Sequence, residues 1–71
     1  MKERIYKTLV SRYTSQIEDA LLKVDLLLAN SASQAVIVDH TDITGAIDKL
    51  LAVASEAQER MDLLRKYYSS N

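Results

Sequence analysis

The sequence contains no cysteine, no proline, no tryptophan and no phenylalanine, and only one glycine and one histidine. Each absence excludes something. Without cysteine there are no disulfides and no thiolate metal sites. With His40 alone, a multi-histidine centre would have to be shared between several chains. With no proline and only Gly45, the chain lacks the punctuation of a fold with many turns, and few, long elements are expected. A glycine-rich phosphate loop is excluded on the same ground. The core must be made from Leu, Ile, Val, Ala and some Tyr. A formal net charge of -1 offers no bulk attraction to nucleic acid or to a membrane surface.

Long apolar runs are missing too. No stretch reaches the about 18 apolar residues that span a bilayer. Lys2 and Arg4 are followed by an amphipathic stretch, not by the continuous apolar run of a targeting segment. No membrane partner is expected. The absence of cysteine fits a cytoplasmic protein.

What remains is a chain of 71 residues, one small domain over 1–71. A chain of this size buries only roughly 60% of its unfolded surface. Such scaffolds usually rely on disulfides, a metal or oligomerisation. Disulfides are excluded here, so oligomerisation or very regular helix packing is left.

Hydrophobic spacing gives the architecture. Ile43, Ile47, Leu50, Ala54, Ala57, Met61, Leu64 and Tyr68 follow one another in alternating steps of four and three. That repeat keeps one stripe of a helix facing a partner. Lys49, Glu56, Glu59, Arg60, Asp62 and Arg65 occupy the other face. Glu56–Arg60 and Asp62–Lys66 are i,i+4 pairs in the favourable order. Thr41 is an N-cap candidate, with Asp42 at the positive helix end and Arg65 and Lys66 at the negative one. These signals predict a helix over about 42–69. A second seam, Tyr6, Val10, Tyr13, Ile17, Ala20, Val24 and Leu27, predicts a helix over about 3–29 that stops at Asn30-Ser31. Ile5, Leu9, Leu21 and Leu28 widen it. From Leu21 to Leu28 the apolar residues run most of the way round, interrupted by Lys23 and Asp25, which is the pattern of a helix covered on more than one side.

The connection, about 30–41, begins polar and then turns apolar at Ala35-Val36-Ile37-Val38. This β-branched run reads as an extended segment closing the bundle end or pairing with a second chain. The alternative is a first turn of the second helix with Ser33 as its cap. The expected fold is therefore all-α: two long amphipathic helices in an antiparallel hairpin. Folding about residues 35–36 sets Val24 against Ile47, Ile17 against Ala54 and Tyr13 against Ala57, large residues mostly facing small ones.

One seam cannot hide all the apolar residues. Leu21, Leu22, Leu26, Leu28, Leu51 and Val53 are left over, together with Val36, Ile37 and Val38. Burying four such side chains against a partner, at roughly 1.5–3 kcal/mol each, yields on the order of 6–12 kcal/mol before the costs of association. Two hairpins forming a four-helix bundle are the simplest solution. Charge suggests how they would lie. Lys2, Arg4, Lys7, Arg12, Arg60, Arg65 and Lys66 gather near the termini, against Glu3, Glu56, Glu59 and Asp62, and Glu18, Asp19, Asp25, Asp39, Asp42 and Asp48 near the connection, against Lys23 and Lys49. A basic open end and an acidic tip favour an antiparallel homodimer.

Candidate chemistry is sparse. Asp39-His40-Thr41-Asp42 carries metal-type side chains, but a helix start ordinarily contains such residues. Tyr6, Tyr13, Tyr67 and Tyr68 sit among Lys and Arg, as in surfaces that stack nucleic-acid bases. Interspersed acids weaken that reading, and seam tyrosines with wet hydroxyls explain the same residues. Glu18, Asp19, Glu56 and Glu59 lack the Glu-x-x-His pairs of dimetal bundles. No catalytic, cofactor or metal residue is expected, and the chain is read as non-enzymatic. Its size and two-helix layout are similar in architecture alone to small bacterial secretion chaperones and short phage proteins. The expected function is an interaction or assembly protein that homodimerises through the leftover apolar strip. The alternative is a small chaperone or adaptor that offers this strip to a different protein. Nucleic-acid binding by the tyrosine-bearing end ranks below both.

Overall fold

Nothing in the sequence between Lys2 and Ser33 breaks a helix, and none breaks there. The computed structural model describes residues 2–33 and 40–69, with the side chains of 2–30 and 43–69. Helix α1 is Lys2–Ser33 and helix α2 is His40–Tyr68. Residues near both termini share one cleft, and Thr14 touches Met61, so the helices run antiparallel. The resulting rod measures 53 × 15 × 14 Å between Cα extremes. At about 1.5 Å per residue, the 32 residues of α1 account for most of that length.

The two seams are where the helices meet. Tyr6, Val10, Tyr13, Ile17, Ala20, Val24 and Leu27 are all buried or half-buried in α1, joined by Leu9 and Thr14. In α2 the same holds for Ile43, Ile47, Leu50, Ala54, Ala57, Met61 and Leu64, joined by Ala46. Tyr68 departs from the pattern at 72% exposure, because it ends α2 where no further layer covers it. Among the described residues, those buried are Ala20, Val24, Ala54, Ala57 and Met61. Three of these five are alanines, small residues that let two packed helices approach at mid-length.

The register differs from the pairing about residues 35–36. The Thr14 hydroxyl donates to the Met61 sulfur at 3.6 Å, where that pairing would set Ala57 opposite. The displacement is one helical turn, so the same stripes face each other with changed partners.

The helix ends differ as well. α1 continues past Asn30-Ser31 to Ser33. Asn and Ser cost a helix only tenths of a kcal/mol each, and no Gly or Pro follows to stop it. Ser33 closes α1 and so does not cap α2. α2 begins at His40, which puts Thr41 and Asp42 inside its first turn and removes Thr41 as the cap. The Val36-Ile37-Val38 run, and Asp39, lie outside the described residues.

Gly45 lies inside α2, and a β-carbon added there would meet nothing within 4 Å. It therefore serves no close packing, and no described residue has positive φ. Gly45→Ala should raise stability by about 0.5–1 kcal/mol, through the backbone entropy that glycine loses on folding. A thermal melt followed by circular dichroism at fixed protein concentration checks this, and a lowered melting point would contradict the open environment.

Candidate association surface

A hairpin has two flanks and two outer faces, and the structure sorts the leftover residues among them. Leu21 and Leu51 each follow a seam residue by one, as Leu28 follows Leu27. In an antiparallel pair these positions fall on the same flank. Val53 falls on the other. It lines a groove with Gln16, Asp19, Lys23, Glu56 and Arg60, floored by Ala20, Leu50 and Ala57. Leu26 lies on the back of this second flank, and Leu22 on the outermost face of α1. Leu21, Leu22, Leu26, Leu28, Leu51 and Val53 are all exposed. What the sequence suggests as one strip is thus divided between two flanks. Ile5, Leu63 and Tyr67 are exposed apolar residues that the leftover set lacks. Leu63 sits two residues past the seam position Met61, where its helical angle puts it on the same flank as Val53.

The area left in water is large for the mass. The chain exposes 5823 Å². A compact monomer of 8.0 kDa would expose about 4,450 Å² on the usual size scaling. The radius of gyration, 16.1 Å, compares with about 11 Å for a compact domain of this length. A two-helix rod has no interior beyond its single seam, and this is where the excess comes from.

Between the two groups of terminal residues lies a cleft of about 740 Å³. Ile5, Tyr6, Leu9, Leu64, Tyr67 and Tyr68 give it apolar walls, and Lys2, Glu3, Lys7 and Ser69 ring it. Lys66 Nζ lies 5.3 Å from the centre of the Tyr67 ring, a cation–π distance. The groove on the Val53 flank is smaller, about 280 Å³, and lies at mid-length.

Charge is more polarised than the first pairing implied. Asp19 and Glu56 line one groove, so Glu56 belongs with the acidic half of the rod. From the open end to Arg12 and Arg60 the charges are mostly basic; from Glu18 and Glu56 to the tip they are mostly acidic. The only ion pair among the described residues is Lys23 Nζ to Asp19 Oδ2, at 3.0 Å. It is exposed and contributes only tenths of a kcal/mol. The expected Glu56–Arg60 and Asp62–Lys66 pairs do not form. Asp62 Oδ1 instead accepts a hydrogen bond from Gln58 Nε2 at 3.0 Å, and Lys66 turns to Tyr67.

No group of three metal-type side chains comes together among the described residues, and none of the described helices is long and apolar enough to cross a membrane. No protein-family model matches the chain, and no curated protein or solved structure is significantly similar to it.

Proposed function

We propose that this protein is a non-enzymatic assembly module of the cytoplasm whose hairpin homodimerises, antiparallel, into a four-helix bundle. The observation that carries the reading is the 5823 Å² of exposed surface on an 8.0 kDa chain, with Leu21, Leu22, Leu26, Leu28, Leu51 and Val53 in it. One flank of a rod 53 Å long and 15 Å wide offers about 800 Å², the area each partner contributes to a standard stable interface. The opposite charges of the two ends orient the copies, because basic end over acidic tip is the attractive arrangement.

The experiment is sedimentation equilibrium across a dilution series from about 100 µM downward, a range set by the micromolar-to-nanomolar affinities that such areas support. The expected result is a species of twice the 8.0 kDa chain mass that dissociates on dilution. A single-chain mass throughout would remove self-association and leave the apolar residues to a different partner.

A further inference from the structure

The proposed dimer leaves open which flank meets which. We infer that the interface is the flank of the Val53 groove, that it is self-complementary, and that Arg60 of each copy reaches Glu56 of the other across a twofold axis at the groove. This rests on the self-association proposed above and names its surface.

The placement of the groove is the first reason. Its lining runs from Gln16 to Lys23 in α1 and from Leu50 to Arg60 in α2, which brackets the midpoint of both helices. A twofold axis there overlays two antiparallel hairpins along their whole length. The basic open end of each then covers the acidic tip of the other. An axis nearer either end would lay like charges together.

The second reason is the pair Glu56 and Arg60. They are four residues apart in the order that favours a helical ion pair, yet they make no hydrogen bond or ion pair within the hairpin. Both line the same groove. Close to a twofold axis, an unpaired acid and base on one surface meet their opposites on the other, twice per dimer. Asp19 is already held by Lys23, so Glu56 is the carboxylate left to receive Arg60.

The third reason is apolar fit. Full overlap carries Leu26 of each copy over the open-end cleft of the other, whose walls include Ile5, Leu9 and Tyr67. It also sets Leu63 near Val53. The Leu21–Leu51 flank has no such match: overlaid on itself antiparallel, its leucines meet the polar levels of Thr14, Arg65 and Lys7.

The test uses two charge reversals of the full chain, Arg60→Glu and Glu56→Lys. Both sites are exposed, so helicity should be unchanged by circular dichroism. Each variant alone should raise the dimer dissociation constant about tenfold or more, because two like-charge contacts replace two attractive ones. An equimolar mixture of the two should restore association to near the wild-type level, as a heterodimer in which every contact is attractive again. A wild-type dimer whose affinity neither variant changes, or a mixture that does not recover, would overturn the assignment of this flank and turn attention to Leu21, Leu28 and Leu51. A wild-type chain that stays single would instead overturn the self-association reading itself, so the two failures are distinguishable.

Discussion

Replacing Leu22 and Leu26 together by lysine should leave a folded hairpin that no longer pairs. Leu22 is 56% exposed and Leu26 is 55% exposed, so neither contributes much to the seam between α1 and α2. Lysine is a good helix former and keeps much of the aliphatic stem. Helicity should therefore survive. A leucine on the interface is worth roughly 1.5–3 kcal/mol of buried area, and Leu26 is lost twice per dimer. Even about 3 kcal/mol of that total weakens association more than a hundredfold. The variant should sediment at the single-chain mass where wild type sediments at twice it. The structure divides the effect further: Leu26 lies on the Val53 flank and Leu22 beyond it, so Leu26→Lys alone should account for most of the loss. If the double variant associates like wild type, this side of α1 is not the interface. If Leu22→Lys alone is as damaging as the pair, the interface is rotated toward the outer face of α1.

The second large effect is expected inside the hairpin. Ala57 is 1% exposed and Ala20 is 2% exposed, on seams that face each other at mid-length. A leucine at Ala57 would force the backbones apart or drive neighbours off their rotamers, at about 1–3 kcal/mol. For a domain of this size that lowers the melting temperature by roughly 4–8 °C per kcal/mol. Ala52→Leu, on the exposed outer face of α2, is the control and should change stability by no more than about 0.5 kcal/mol. Melts compared at one protein concentration keep association from shifting the result. An Ala57→Leu variant as stable as the Ala52→Leu control would mean that the helices are not in close contact at this level.

Most of this fold is legible in the sequence, for a physical reason. With no proline and a single glycine, nothing competes with helix over long stretches, and the four-three spacing of apolar residues states which side of each helix is covered. Every seam position except Tyr68 is buried or half-buried. The register was not legible. A heptad seam looks the same after a shift of one turn, so spacing alone cannot separate Thr14 beside Met61 from Thr14 beside Ala57. The helix boundaries were hard to read because Asn30, Ser31, Thr41 and Asp42, although they favour helix ends, cost a helix interior only tenths of a kcal/mol each.

The exposure of Leu21, Leu22, Leu26, Leu28, Leu51 and Val53 was legible, and their grouping was not. Leu51 and Val53 stand two residues apart in a helix, which points them about 200° away from each other. They cannot share a flank, and Val53 is found in the groove with Gln16 and Arg60. The unpaired state of Glu56 and Arg60 could not be read from their spacing, which favours a pair.

Small-angle scattering on the wild-type chain at concentrations where it associates tests the central claim most directly, because it reports mass and length together. Two hairpins overlaid antiparallel along their full length should give twice the 8.0 kDa chain mass while the longest dimension stays within a few ångströms of a single hairpin's, whose Cα extent is 53 Å. A single-chain mass, or a doubled mass with a length approaching twice that of the rod, would contradict the account.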